Sequence, residues 1–170
     1  MNILMIDTSG PACGVAIMRD GRLIYEAELV NKQTHSQRVM PMADAALAMS
    51  DMTAAEIDVF GAVTGPGSFT GVRIGVCIAN ALAYALHKPV MTVDSLRVLC
   101  QTASDQHGEV CALIDARNGN AYAARYGNGI CIEAPKAVIL EPYLRRLPED
   151  IVFVGDVLPA CQSQAYPDAA

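Results

Sequence analysis

Three short runs of apolar positions open the chain, and their spacing predicts strands. "NILMIDTS" (2–9) is nearly continuous and ends in Asp7-Thr8-Ser9, "CGVAIMRDG" (13–21) alternates, and "RLIYEAELV" (22–30) alternates on the return. Asp20-Gly21 between the last two is hairpin chemistry, because a two-residue turn of this kind needs positive φ at both central positions. The period then changes. "SQRVMPMADAALAMS" (36–50) has helical spacing, with Pro41 expected near its first turn. Thr53, with Glu56 three residues on, predicts a capped short helix over 53–58. "VFGAVTG" (59–65) reads as a buried strand, residues 68–87 as a long helix and "KPVMTVDS" (88–95) as a further strand. A helix capped by Ser95 follows. The order βββαβαβα predicts an α/β sheet whose crossovers are long enough for parallel strands.

A second lobe is expected from about residue 106, giving domains of 1–105 and 106–170. "EVCALIDAR" (109–117) and "NAYAARYG" (120–127) predict strands joined by a tight Asn118-Gly119 turn, which echoes the opening hairpin. "ICIEAPKAVIL", "PYLRRL" and "DIVFVGD" predict a strand, a short helix and a strand.

The segment "VTGPGSFTGVRIG" (63–75) has the look of a phosphate loop but not its spacing. A Walker loop needs GxxxxGK[ST], and here no lysine follows. A dinucleotide fingerprint needs GxGxxG, and "GPGSFTG" has one residue too many. Turn geometry and tight packing account for these glycines better than direct phosphate contact. Gly71, Gly75, Ala79 and Ala83 recur every four residues, a small-residue stripe that lets another backbone come close. The rest of that helix is apolar over most of its circumference, with Arg73, Asn80, Tyr84 and His87 as a narrow polar seam. The 36–50 helix is similar, with Asp44 the one charge between Val39 and Met49. Two helices apolar on nearly all sides predict either deep burial or an apolar face awaiting a partner, and the shortness of the chain favours the face.

Composition narrows the class further. The 170 residues are 52% hydrophobic and 18% charged, so a packed core is expected. A net charge of −6 argues against a free-standing nucleic-acid binder. The six scattered cysteines form no CxxC pair and are expected as buried, reduced thiols of a cytoplasmic protein. Met1 leads directly into a strand, so no signal peptide is expected, and the run at 76–86 is too short to span a membrane.

Candidate chemistry is sparse. His35, His87 and His107 lack metal-ligand spacing, so no metal is expected. Ser68 is not in a GxSxG elbow. Asp7 and Asp115, each at the end of an apolar strand, could form a carboxylate pair serving a nucleotide-binding phosphotransferase or hydrolase. Asp7 could equally do no more than cap its own turn.

"ILMIDTSGPACGVAIMRDG", "THSQRVMPMADAAL", "GAVTGPGSFTGVRIGVCIANALAYAL" and "IDARNGNAYAARY" together closely resemble the TsaB (YeaZ) family. Its members are non-catalytic subunits of the bacterial machinery that makes threonylcarbamoyladenosine in tRNA. The match runs from Met1 to about Tyr126, and the second lobe is short against the family pattern. The resemblance implies an actin-like ATPase fold (ASKHA, ribonuclease H-like) of two related lobes. It implies no catalytic residues and a dimerisation role for the first lobe. Pairing with the catalytic paralogue TsaD would run through the helices at 36–50 and 68–87, using Arg38, Val39, Met42, Ala46, Phe69, Gly71, Val72, Gly75 and Ala79. TsaE would join the complex, and tRNA would be reached only through it. No intrinsic cofactor is implied, with ATP or ADP admitted only where the subunits join; Asp7, Thr8 and Asp115 are the candidate nucleotide or cleft contacts. Where TsaD carries its HHxxxH metal ligands, this chain has Ser95 and Leu99. In isolation the same helices are expected to form a homodimer.

Overall fold

A computed structural model describes residues 1–30, 35–103 and 108–157. The chain divides into two compact units, Met1–Asp94 and Ser95 onward. The boundary expected at 105 falls outside the described residues.

In the first unit, β1 (Asn2–Asp7), β2 (Cys13–Arg19) and β3 (Arg22–Leu29) form an antiparallel meander. Helix α1 (His35–Met49) precedes β4 (Val59–Val63), and α2 (Phe69–Leu86) connects β4 to β5 (Val90–Val93). The sheet order is β3-β2-β1-β4-β5, with β1, β4 and β5 parallel. Asp20 (φ 52°) and Gly21 (φ 78°) make the turn that their chemistry predicts, and they pair Arg19 with Arg22. Leu4, Ile6, Val15, Ile17, Phe60 and Ala62 turn one sheet face toward the buried Val39, Ala43 and Ala46 of α1 and Ala79 and Ala83 of α2. Pro41 sits past the first turn of α1, on an exposed position where solvent can serve the carbonyl that its ring leaves unbonded. Before β4, Ala54–Glu56 make a single 3-10 turn. Glu56 reaches back to accept from the amide and the hydroxyl of Thr53, both at 2.8 Å.

The second unit repeats the plan. β6 (Glu109–Arg117), β7 (Asn120–Gly127) and β8 (Ile130–Ile139) form a meander, and β9 (Val152–Gly155) returns parallel beside β6 in the order β8-β7-β6-β9. Both hairpins turn on Asn-Gly, Asn118-Gly119 and Asn128-Gly129, with positive φ at all four residues. Helix α3 (Ser95–Gln101) places Leu96 and Cys100 against Val110, Ala112, Ala124 and Tyr126 on one face of this sheet. Helix α4 (Leu140–Leu144) covers the other face with Leu140, Tyr143 and Leu144. It begins at Leu140, ahead of the expected "PYLRRL", because the Leu140 amide is taken by Gly119 O at the end of the neighbouring hairpin. Pro135 lies within the edge strand β8, where a missing amide breaks no ladder. The repeated meander, crossover and parallel return in two lobes is the actin-like α/β architecture.

The expectation of buried thiols needs correcting. Cys13, Cys100 and Cys111 are buried, but Cys77 and Cys131 are exposed, on the outer side of α2 and on an edge strand. None of these five is in a disulfide; Cys161 and His107 lie outside the described residues.

Candidate functional site

The end of β1 and the start of α2 are built into each other. Thr8 is buried, and its hydroxyl donates to Gly71 O at 2.7 Å. A Cβ on Gly71 would stand 2.0 Å from Thr8 O, and one on Gly75 2.6 Å from Thr8 Oγ1. One residue on, Ser9 O accepts from the Ser68 amide at 2.7 Å, and a Cβ on Gly67 would stand 2.4 Å from that same oxygen. The small-residue stripe therefore does admit another backbone, and that backbone is the chain's own. Ser68 caps α2 by accepting from the Gly71 amide at 3.2 Å, which is its role in place of a nucleophile's.

The burial of the stripe reorders the expected partner residues. Val39 and Ala46 on α1 and Gly71, Gly75 and Ala79 on α2 all face the sheet beneath them and are closed to a partner. Position every four residues identifies a face, and here that face points inward. Of the expected set, Phe69 is 75% exposed, while Arg38, Met42 and Val72 are half-buried. The Arg38 Nε is enclosed and has no hydrogen-bond partner among the described residues.

The outer side of α2 carries Phe69, Arg73, Cys77, Asn80, Ala81 and Tyr84, all exposed, with Tyr84 at 85%. The Arg73 guanidinium lies over the Phe69 ring, 5.2 Å from its centroid, and holds the ring against the helix start. On α1, Met49 is 75% exposed, and Met40, Met42 and Leu47 are half-buried against the same core as α2's Ile74 and Ile78. Tyr84 went unselected in the sequence because it reads as part of a polar seam; its spacing of fifteen from Phe69, close to four turns, was the available signal. By length and composition α2 could cross a membrane; its small-residue stripe, Gly71, Gly75, Ala79 and Ala83, is packed on the sheet.

Neither candidate carboxylate is arranged for transfer chemistry. Asp7 Oδ1 accepts from the amide and the hydroxyl of Ser9 at 2.8 and 2.7 Å, so it caps its own turn. Burial, and then the neighbouring Asp7 charge, push the Cys13 thiol up from its ordinary value and keep it protonated. Asp115, in the second unit, is exposed; its Oδ1 accepts from the Arg117 amide at 2.8 Å, again a turn. Among the described residues no group of three or more His, Cys, Asp or Glu could hold a metal ion. Ser95 is buried at the start of α3 and Leu99 lies half-buried one turn later, and neither offers a ligand at neutral pH.

Residues 28–139, from the end of β3 to the end of β8, match the family model described as TsaD, tRNA N6-adenosine threonylcarbamoyltransferase. The tRNA threonylcarbamoyladenosine biosynthesis protein TsaB of Escherichia coli is 40% identical over 99% of this chain and 74% of its own length. The Bacillus subtilis protein of the same name is 35% identical over 91% of this chain and 71% of its own. A solved structure from Pseudomonas aeruginosa, described as an uncharacterized protein with similarity to peptidase YEAZ, superposes with a TM-score of 0.77 at 30% identity, covering 91% of this chain and 83% of that one. With these identities over these lengths, the chain belongs to the TsaB (YeaZ) family.

Proposed function

We propose that this chain is a non-catalytic subunit of tRNA threonylcarbamoyladenosine biosynthesis, and that it binds the threonylcarbamoyltransferase TsaD through the outer side of α1 and α2. The observation that carries this reading is the pair of exposed aromatics, Phe69 and Tyr84, along the outer side of an otherwise apolar helix. Large rigid side chains of this kind anchor protein interfaces. The match of residues 28–139, a stretch that includes α1 and α2, to the transferase's own family model supports the choice of partner. The turn-capping roles of Asp7 and Asp115 disfavour the alternative of a phosphotransferase or hydrolase.

On this reading the transferase supplies the metal and the chemistry. TsaE joins the assembly in the cytoplasm, tRNA is held by the complex, and ATP or ADP acts at the joint between subunits. Without its partner the chain forms a homodimer through the same face. The test is reconstitution. Purified chain, cognate TsaD, TsaE and the adenylate-forming enzyme are assayed for threonylcarbamoyl transfer to tRNA, with light scattering for assembly. Transfer is expected only when the chain is present, and ATP turnover by the chain alone is not. Equal transfer without the chain would defeat the proposal.

A further inference from the structure

The turn after β1 touches both helices of the proposed interaction face. Thr8 and Ser9 hold the start of α2 through Gly71 O and the Ser68 amide. The His35 ring, at the start of α1, lies 3.1 Å from Gly10 O through Nε2. Asp7 keeps the turn in shape by accepting twice from Ser9. We propose that this turn positions the interaction face, with Thr8 setting where α2 begins and hence how Phe69 and Arg73 are presented. The inference rests on the partner role proposed above and adds residues that touch no partner.

The geometry leaves α2 little freedom. Gly71 O already sits in a helix, and the Thr8 hydroxyl is a second group pressed against it at 2.7 Å, a distance that only a hydrogen bond sustains. Thr8→Val keeps the branched shape but replaces the donor with a methyl group. A carbon–oxygen contact settles near 3.5 Å, so the first turn of α2 must move outward by roughly half an ångström or more. The bare Cα of Gly75 gives the methyl room without creating a new bond. Phe69 and Arg73 stand two residues to either side of Gly71 and move with it. Thr8→Ser retains the donor and leaves the helix in place. Asp7→Ala removes the acceptor for both Ser9 groups, whereas Asp7→Asn keeps an oxygen where Oδ1 stands.

Affinity for cognate TsaD is measured for the wild-type chain and each variant. Ile57→Val serves as a control for lost stability: it is buried in the same unit but lies before β4, at the opposite end of the sheet from the turn. Thr8→Val should weaken binding roughly tenfold, and Thr8→Ser less than about twofold. Asp7→Ala should weaken it about threefold and Asp7→Asn restore it. Hydrogen exchange of the isolated chain gives a readout without partner: Thr8→Val should speed exchange at Phe69–Val72 while β2 stays protected. Wild-type affinity in Thr8→Val, or an equal affinity loss in Ile57→Val, would overturn the positioning role. A wild-type chain that never binds TsaD would instead defeat the proposed function, and exchange at the helix start would still report on the turn.

Discussion

The two units share one plan and differ in what is laid over it. Each has a three-stranded meander with a fourth strand returning parallel beside its first strand. In the first unit one sheet face carries two long helices, and the contact is close because α2 brings glycine and alanine to it. In the second, short α4 covers one face with Leu140, Tyr143 and Leu144, and α3 covers the other. A helix that meets the sheet along a line of small residues keeps its large aliphatic side chains on the flanks of that contact and can show its largest ones, Phe69 and Tyr84, outward. A five-residue helix that packs through large ones has nothing left to show. The association surface proposed above therefore lies on the first unit.

The sharpest way to break this contrast is to add one methyl group in each unit. A Cβ at Gly71 would stand 2.0 Å from Thr8 O, and one at Gly155, already at φ 130°, would stand 1.8 Å from Leu113 O. Both collisions are with backbone, so each alanine variant should lose about 3 kcal/mol in thermal denaturation. Only Gly71→Ala should also abolish binding to TsaD in a pull-down. Leu113→Ala, in the core of the second sheet, should cost about 3 kcal/mol and leave TsaD affinity unchanged in calorimetry. Phe69→Ala should do the reverse, weakening the complex by about 2 kcal/mol with an unaltered melting temperature.

Smaller effects sharpen the same division. Tyr143 is buried and donates its hydroxyl to Glu133; burial and that bond push its pKa far above the ordinary range. Tyr143→Phe should cost about 1 kcal/mol, confined to the second unit by hydrogen exchange. In the first unit, the two bonds from Thr53 hold the Glu56 carboxyl below its usual value. A depressed carboxylate contributes stability above its unfolded pKa, about 4.3, and that contribution is lost as pH falls through the lower folded value. An acid titration of Glu56→Gln should lack that small component and match the wild-type chain elsewhere.

Much of this was legible in the residues. Asp20-Gly21 and Asn118-Gly119 announced their hairpins because few residue pairs tolerate positive φ, and Ser68 announced the start of α2 because a capping hydroxyl must sit there. The direction of the small-residue stripe was not legible. Spacing of four places Gly71, Gly75 and Ala79 on one line, but the same line would serve a neighbouring subunit or the chain's own β1. What decides is the path of the turn at Thr8 and Ser9, a tertiary fact. The role of Asp7 was open for the same reason: a carboxylate after a strand suits catalysis and turn-capping equally until the Ser9 hydrogen atoms are located.

Pro135 in β8 bears on how the molecule avoids unwanted company. An unpaired strand edge is a template for aggregation, and β8 is ten residues long with Ile130 and Ile132 exposed. A proline and the adjacent Lys136 interrupt its hydrogen-bonding row, and shifts of register against β7 bend it. The far edge of the other sheet, β3, alternates Glu26 and Glu28 along its length. With both long edges guarded against fibrillar growth, a sticky helical surface can be tolerated in a crowded cell, because what it recruits must come as a folded shape and not as another strand.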